Sequence, residues 1–497
     1  MRHRILLAAA FLYLALANVI WIARDNRPPF WDTAGHATGA LNVYDAFSHS
    51  GLAAIARIPS ELLTGYYPPL YHTVIAGSWK VFGQNIAIAR LTNLLAIAIV
   101  MFATYSIGKS LYDPFTAAIA ATLVSFFPQM LWLSRETIID YWLTAAVVLS
   151  LWILVKTNGF ASRRWSILFG LAAGLGMLTK QTFALFLIVP ALWYARKNWI
   201  NASISAVIAS AIAAYWYVPA LPALRTFLSL NAAGGAFEGD PDRFSLGALV
   251  FYLRALEGYQ VFLPLFLAFV VGLAILWRQF DEPWLPVLLS VLGGWLGLLL
   301  FQNKDPRYSA PLLPMVALIM ALSFRQRRIL SCGLAIMLLF QHYLVSFGVR
   351  GLPERVVLMR GADAQLRFDW NLYTQSYFDL WGKPRREDWK IEHVLATVGE
   401  GPLGLIPDIP RFDSQAFQFY IQRLNSPVRL ERIGVLDETA IRATRYLLLA
   451  ESDREHAASF APDPRVNDYV YSHPEMFHLA EWFGLPNGAV IRLYKTQ

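Results

Sequence analysis

Long apolar runs separated by short connections are the feature that most restricts how this chain can fold. The first run, Ile5 to Ala23, covers roughly 19 residues, enough to cross a bilayer, and 56% of the chain is hydrophobic while only 15% is charged. The sequence therefore predicts a polytopic α-helical membrane protein. About 11 transmembrane helices are expected, at residues 5–23, 86–108, 114–133, 137–155, 165–180, 182–195, 198–219, 258–277, 284–302, 308–324 and 329–347.

The charges between the apolar runs indicate the orientation of the chain. With the N-terminus inside, basic residues such as Arg163, Arg164 and Arg328 fall in inner connections, and most acidic residues fall outside. This distribution follows the positive-inside rule, and the protein is expected in the inner (cytoplasmic) membrane. It also accounts for the net charge of +8 without nucleic acid as a partner.

A change of composition after Gly348 predicts two domains. Residues 1–349 form the predicted transmembrane domain, whose first outer loop covers about residues 24–85. Residues 350–497 contain no further span, and an odd number of spans places them outside the membrane. They are predicted to form a small extracytoplasmic α/β domain.

Short segments support both predictions. Tyr67–Phe82 is too short for a span, and is expected to be a juxtamembrane helix, re-entrant or interfacial, on the outer face. In the C-terminal domain, Leu403–Ile406 and Tyr446–Ala450 resemble buried strands, with a helix at Ser414–Leu424 between them. Ala489–Tyr494 resembles an edge strand.

The first outer loop carries an acid and a histidine. The sequence Trp31-Asp32-Thr33-Ala34-Gly35-His36 begins a helical pattern just after Pro28-Pro29. Asp32 could act only as the N-cap of this helix, or as a base that takes a proton from an attacking hydroxyl. Asp32, Gly35 and His36 share one helix face. His36 is expected to be a supporting hydrogen-bond partner rather than a metal ligand.

A second polar segment, Ser134 to Asp140, lies between two apolar runs and contains Arg135 and Glu136. Ionisable residues at membrane depth are costly and are usually functional. An ion pair of Arg135 with Glu136 or Asp140 that caps the loop is a serious alternative for Arg135, and a weaker one for Asp140. We therefore expect Asp140 to be a second catalytic residue and Arg135 to bind substrate.

Cations on the predicted outer side are the third feature. They are Lys180, in Leu178-Thr179-Lys180-Gln181, and Lys304 and Arg307, in Asn303-Lys304-Asp305-Pro306-Arg307-Tyr308. Because outer cations oppose the positive-inside tendency, we expect them to bind a phosphate group at the membrane surface. For Lys180, snorkelling towards ordinary lipid phosphate is the alternative.

Some kinds of site are not expected. The chain has one cysteine, Cys332, and contains neither a Gly-rich nucleotide loop nor a His cluster with metal-ligand spacing. We therefore expect no metal and no cofactor.

Taken in order, these segments resemble the GT-C glycosyltransferases that use polyprenyl-phosphate sugars, in particular the superfamily of protein O-mannosyltransferases and lipid A aminoarabinose transferases. The resemblance covers about residues 5–325. It implies that Asp32 is the catalytic base, that Lys180 lies near the donor phosphate, and that Arg307 is the basic residue of a late outer loop. Tyr67, His72 and Tyr308 are also expected at the substrate site.

Two positions depart from the family pattern. Asp32-Thr33 stands where many relatives have Asp-Glu, which argues against a carboxylate pair or a metal site. Tyr67 stands where many relatives have a basic residue before Pro-Pro. Phosphate contacts are then expected from Lys180, Lys304 or Arg307, or the acceptor differs.

The leading hypothesis is an inverting enzyme that moves a sugar from a polyprenyl-phosphate carrier to a hydroxyl of a lipid, glycan or protein on the outer membrane face. A transporter or flippase of lipid-linked intermediates is the alternative. It would need charges near mid-membrane and preferably repeated halves, whereas the charges here gather at one surface. A non-catalytic binding protein gives no reason for Asp32, Asp140 and the outer cations. Membrane lipids are the remaining expected partners.

Overall fold

Helices carry the apolar runs of the sequence. The computed structural model describes residues 2–59, 67–237, 239–352, 355–357, 371–374, 382–451 and 463–497. Within these ranges, 6 helical segments are long and apolar enough to cross a membrane: Arg2–Arg24, Ile86–Leu111, Trp199–Ala236, Leu246–Arg278, Pro306–Phe324 and Ile329–Phe347. Shorter apolar helices are Pro114–Phe126, Phe183–Ala195 and Glu282–Leu298. The predicted polytopic helical fold is confirmed, while the count of about 11 spans stays a prediction.

The α-helices of the first 350 residues alternate between long apolar helices and short connecting ones. In chain order they are α1 (Arg2–Arg24), α2 (Trp31–Ser50), α3 (Ala54–Arg57), α4 (Leu70–Phe82), α5 (Ile86–Leu91), α6 (Asn93–Leu111), α7 (Pro114–Phe126), α8 (Pro128–Leu133), α9 (Asp140–Lys156), α10 (Arg163–Met177), α11 (Phe183–Ala195), α12 (Trp199–Phe237), α13 (Leu246–Ala255), α14 (Phe262–Arg278), α15 (Leu285–Leu298), α16 (Leu313–Ala321) and α17 (Arg328–Phe347). Short strands β1 (Arg355–Val357) and β2 (Asn371–Thr374) then pair antiparallel.

Two of the predicted spans differ in extent from the helices of the structure. The predicted span 114–133 is two helices, because Phe127, which precedes Pro128, has an extended backbone with ψ 134°, as residues before proline prefer. The helix that contains the predicted span 198–219 extends beyond it. Helix α12 continues through Pro219 and Pro222 to Phe237.

Small residues allow close packing between α10 and α12. A Cβ on Gly170 would lie 2.7 Å from the Ser205 carbonyl oxygen, and one on Gly174 would lie 2.7 Å from Cβ of Ile212. The Ser205 hydroxyl donates to the Ser166 carbonyl at 2.6 Å. This pairing of small residues with an interhelical hydrogen bond is the usual way that helices associate in membranes.

The chain divides into two compact units that differ from the predicted domains. One consists of Met1–Ile22 and Ala46–Pro384, and the other of Ala23–Asp45 and Arg385–Gln497. Part of the first outer loop therefore packs with the C-terminal residues, which the sequence did not predict. The division at residue 349 into a membrane and an extracytoplasmic domain stays a prediction.

The C-terminal unit is built on a mixed sheet. Its strands are β3 (Gly401–Leu405), β4 (Val428–Arg432), β5 (Tyr446–Glu451), β6 (Phe477–Gly484) and β7 (Val490–Thr496), in the order β4-β3-β5-β7-β6. Strand β3 pairs parallel with β4 and β5, while β7 pairs antiparallel with β5 and β6. The predicted α/β fold is confirmed. The prediction of an edge strand was wrong, since β7 lies between two partners.

Helices cover both faces of this sheet. They are α18 (Ile391–Val398), α19 (Ser414–Arg423), α20 (Glu438–Arg442) and α21 (Pro464–Ser472). Leu448 packs in the core with α18 and α19, whereas its neighbours Leu447 and Leu449 pack with α20 and α21. Successive side chains of a strand point to opposite faces. The continuous apolar run of β5 is therefore buried on both sides.

Candidate active site

Asp32 lies in the first turn of α2, which begins at Trp31. The Phe30 carbonyl accepts from the N–H groups of Thr33 (2.9 Å) and Ala34 (3.2 Å), and the Thr33 hydroxyl accepts from the Phe30 N–H at 2.8 Å. Asp32 is thus inside the helix rather than its N-cap. The dipole of a helix favours an ionised carboxylate in the first turn, and Asp32 keeps partial exposure to solvent. His36, one turn further along, is buried.

The backbone immediately before Asp32 has an uncommon conformation. Trp31 has φ 42°, in the left-handed region that bulky residues rarely adopt. Its N–H donates to Oδ1 of Asp413 at 3.2 Å, and its indole Nε1 donates to Oδ1 of Asp408 at 2.9 Å. Both acids belong to the same compact unit as Trp31. These contacts could not be predicted from the sequence, because the partners are more than 370 positions apart.

Asp140 and Lys180 form a buried ion pair in the helical unit. Nζ of Lys180 lies 2.7 Å from Oδ1 of Asp140, and the two side chains are 7% and 1% exposed. The ammonium also lies 5.0 Å from the ring centroid of Tyr308 and 6.0 Å from that of Tyr67. An ammonium has three N–H donors. Asp140 occupies one of them, so Lys180 can still contact an anionic ligand.

The start of α4 is hydrogen-bonded to the segment that contains Lys180. The Leu70 N–H, at the start of α4, donates to the Leu178 carbonyl at 2.9 Å. His72, on the first turn of α4, is buried, and its ring contacts the ring of Tyr71 with centroids 5.8 Å apart. The structure therefore brings Tyr67 close to Lys180.

Arg135 occupies a neutral polar site. Its Nε donates to Oδ1 of Asn18 at 2.9 Å, its Nη2 donates to the Ser346 hydroxyl at 2.7 Å, and its guanidinium lies 5.3 Å from the ring of Trp21. Nη2 is also 3.4 Å from Nε2 of His342. The alternative of an ion pair with Glu136 or Asp140 is not what the described residues form. Arg135 instead connects its loop to α1 and α17.

Arg90 is a buried residue that the sequence reasoning missed. Its Nη2 lies 3.5 Å from Oε2 of Glu136, and both side chains are almost fully buried. The amide of Asn93 donates to the Glu136 carbonyl at 2.9 Å. A charge inside the predicted span 86–108 was the available signal, since ionisable residues in spans are rare. These contacts fix the backbone of the loop that leads to Asp140.

Arg307 and Tyr308 begin the short helical segment Pro306–Leu312. Nε of Arg307 lies 3.0 Å from Oδ2 of Asp305, and its guanidinium lies 5.7 Å from the Tyr308 ring. The Tyr308 hydroxyl donates to Oδ1 of Asn303 at 2.7 Å. Gln260, a second residue that the sequence reasoning missed, donates to the Pro306 carbonyl at 2.6 Å. Tyr308 thus places this segment next to Lys180.

Lys304 is directed to other groups. Its Nζ donates to the Phe301 carbonyl at 2.6 Å, and its backbone N–H donates to Oδ2 of Asp240 at 2.6 Å. Burial lowers the pKa of Lys304, and nearby Asp240 opposes this change. Burial likewise raises the pKa of Asp240. Lys304 therefore holds its own loop in place in this conformation.

Potential metal ligands are dispersed. Within the described ranges, no group of three or more His, Cys, Asp and Glu side chains is arranged to hold a metal ion. The expectation of a metal-free site stays a prediction.

Comparison with known proteins places these observations in a family context. Residues 67–222 match the family of dolichyl-phosphate-mannose-protein mannosyltransferases. This segment contains Tyr67, His72, Arg135, Asp140 and Lys180. No protein of curated function matches the sequence.

Several solved structures share the fold. ArnT from Cupriavidus metallidurans, bound to undecaprenyl phosphate, is 13% identical with a TM-score of 0.58, over 98% of this chain and 97% of that one. The Archaeoglobus fulgidus oligosaccharyltransferase, tethered to an acceptor peptide, is 12% identical with a TM-score of 0.52, over 99% of this chain and 74% of that one. At these identities the likeness establishes the fold alone. The resemblance to GT-C glycosyltransferases is confirmed by the family match and the shared fold, and the predicted enzyme class, glycosyltransferase, is confirmed with it.

Proposed function

We propose that this multi-pass membrane protein transfers a sugar from a polyprenyl-phosphate carrier to an acceptor hydroxyl, with Asp32 as the general base. The observation that carries the proposal is the buried Lys180–Asp140 pair beside the rings of Tyr67 and Tyr308. A buried cation with unused donors beside aromatic rings suits the phosphate of a lipid carrier. Most of these residues lie in the segment that matches the mannosyltransferase family.

The reaction needs one proton acceptor and one anion-stabilising group. Asp32 takes the proton of the acceptor hydroxyl, whose oxygen forms a bond to the anomeric carbon of the sugar. The bond from that carbon to the phosphate oxygen breaks, the configuration inverts, and polyprenyl phosphate leaves with the electron pair. Because this leaving group is already a stable anion, cations replace a general acid.

The cations have distinct roles in this mechanism. Lys180 contacts the phosphate through the N–H groups that Asp140 does not occupy, and Arg307 contributes a planar guanidinium with paired donors. Asp140 orients Lys180 rather than taking a proton itself, because its carboxylate is buried and ion-paired. The remaining residues shape the substrate site or hold its loops: His36, Tyr67, His72, Arg135, Lys304 and Tyr308.

The decisive experiment is a transfer assay on the purified protein. A polyprenyl-phosphate sugar is supplied with a membrane extract as acceptor, and release of polyprenyl phosphate and labelling of the acceptor are followed by mass spectrometry. Asp32→Asn should abolish transfer while the protein folds normally, since an amide cannot accept the proton. Asp45→Asn, an acid on the same helix, is the matched control and should stay active. Full activity of Asp32→Asn would refute the base assignment.

The acceptor class and the membrane side need separate measurements. Glycans and lipid-linked sugars from a deletion strain should show whether a lipid, a glycan or a protein loses its sugar.

We place the active site and residues 350–497 on the outer face of the cytoplasmic membrane, because the inner connections are basic. Cysteines are introduced singly into a Cys332→Ser background, and intact cells are treated with a membrane-impermeant thiol reagent. The reagent should label a cysteine in β6 and should not label one at position 164. The reverse pattern would refute this orientation.

A further inference from the structure

We propose that Asp408 and Asp413 hold Trp31 in its positive-φ conformation and thereby position Asp32 for proton transfer. The inference rests on the proposed function, in which Asp32 is the base. It gives the C-terminal α/β sheet and its helices a positioning role in the reaction.

The conformation of Trp31 requires support from other residues. A positive φ is uncommon for a bulky residue and persists only where the surrounding structure over-determines it. Trp31 has φ 42°, and Asp32 follows it directly. The backbone torsions of residue 31 set the direction in which the next Cα–Cβ bond points. Whatever holds Trp31 therefore also sets the origin of the Asp32 side chain.

One carboxyl oxygen joins two helix N-termini. Oδ1 of Asp413 accepts from the N–H groups of Gln415 (2.9 Å) and Ala416 (3.2 Å), which makes Asp413 the N-cap of α19. The same oxygen accepts from the Trp31 N–H at 3.2 Å. Asp413 is completely buried, and burial raises its pKa to about 7. The start of α2 is thus tied to the start of α19.

A second carboxyl group fixes the indole ring of Trp31. Oδ1 of Asp408 accepts from Nε1 of Trp31 at 2.9 Å, while Oδ2 accepts from Nη2 of Arg432, on β4, at 2.9 Å. The backbone and the side chain of Trp31 therefore have separate partners. Two hydrogen bonds, one from the backbone and one from the side chain, restrict a residue more than one does.

Neighbouring contacts also hold the segment that contains Trp31. Nη1 of Arg411 donates to the Pro28 carbonyl at 2.8 Å, and its guanidinium lies 4.6 Å from the ring of Phe30. Further along α2, the amide of Gln422, on α19, donates to Oδ1 of Asn42 at 2.7 Å. The segment that enters α2 and the body of α2 are both held by the chain from Arg411 to Gln422.

Such positioning matters for a base, because proton transfer requires it to lie within hydrogen-bond reach of the hydroxyl. A small displacement of a catalytic group lowers the turnover rate strongly. Loosening Trp31 should therefore reduce kcat, whereas contacts with the donor, which lie on other residues, should be kept.

The test uses the full-length protein in nanodiscs and two measurements. Asp413→Ala removes the shared acceptor, Trp31→Phe removes only the indole donor, and Asp413→Asn keeps an acceptor oxygen. Asp437→Ala is the matched control: Asp437 caps α20 through the Ala440 N–H, so its loss removes a helix cap of the same unit. Hydrogen exchange of residues 28–36 reports whether Trp31 is held in place. The kcat and KM of transfer report the effect on the reaction.

We expect faster exchange of residues 28–36 in Asp413→Ala, with kcat lowered about tenfold to a hundredfold and the donor KM little changed. Trp31→Phe should show a smaller effect of the same kind, and Asp413→Asn and Asp437→Ala should resemble the wild type at this segment. Unchanged exchange in both Asp413→Ala and Trp31→Phe would show that Asp408 and Asp413 do not hold Trp31. Faster exchange with unchanged kcat would show that holding Trp31 does not position Asp32 for proton transfer. If the wild type transfers no sugar, the proposed function fails, and the exchange data still decide whether Trp31 is held.

Discussion

Nζ of Lys180 lies 2.7 Å from Oδ1 of Asp140, and both side chains are buried in the helical unit. The sequence predicted separate roles for these residues, with Lys180 as a phosphate ligand and Asp140 as a second catalytic residue. Removing either side chain would therefore leave the other charge unpaired in a buried site, which is costly. It also allows the proposed donor-binding role of Lys180 to be tested separately from its structural role.

Removing one partner of the pair should destabilise the protein, and removing both should not. Lys180→Met or Asp140→Leu alone leaves an unpaired buried charge, a loss of about 3–5 kcal/mol, whereas the double variant should recover most of the stability in thermal unfolding. Binding of polyprenyl phosphate should stay weak in the double variant if Lys180 contacts the donor. Wild-type binding by a stable double variant would show that Lys180 is purely structural.

Arg307 should act through the donor phosphate. A charge-assisted contact in a partly desolvated site is worth about 1.5–3 kcal/mol, or roughly tenfold to more than a hundredfold in binding. Arg307→Ala should weaken polyprenyl-phosphate binding by that factor, with acceptor affinity unchanged, and Arg307→Lys should restore only part of it. Isothermal titration checks this. Lys197→Ala, which breaks an exposed pair with Glu282, is the control and should bind normally. If Arg307→Ala binds polyprenyl phosphate as tightly as the wild type does, Arg307 contacts ordinary membrane lipid rather than the donor.

Chelators should leave transfer intact. The first loop has Asp32-Thr33 rather than paired acids, and the described residues contain no cluster of metal-ligating side chains. Activity should therefore be the same with and without EDTA. Loss of activity that Mn²⁺ or Mg²⁺ restores would contradict this, and Asp32 and Asp140 would then be the first ligands to test.

Asp413 should make stability depend on pH. Burial raises its pKa from 3.8 to about 7, so between these values the folded state keeps a proton that the unfolded state loses. Stability should then fall as pH rises from about 4 to about 7, on the order of a few kcal/mol in total. Thermal unfolding of the wild type and of Asp413→Asn across this range measures the difference, which should shrink or reverse with rising pH. A constant difference would mean that Asp413 is ionised in the folded protein throughout this range.

Elements whose cause is local could be predicted from the sequence. Apolar runs such as Ile5–Ala23 must be helical in a membrane, because only a helix or a closed barrel satisfies every backbone hydrogen bond there. The run Tyr446–Ala450 predicted a buried strand, and the structure has β5 at that place. The order of acid, Pro-Pro, Arg…Asp and Leu-Thr-Lys predicted the family resemblance.

Which side chains contact one another depends on the tertiary structure. Lys180 and Asp140 are 40 positions apart, and Trp31 and Asp413 are 382 apart. Hydrogen bonds between such distant residues leave no periodicity in the sequence, and each polar residue had several chemically suitable partners. The choice among them is made by packing, since helices and strands bring only certain pairs within hydrogen-bond distance, and burial excludes the water that would otherwise satisfy the rest.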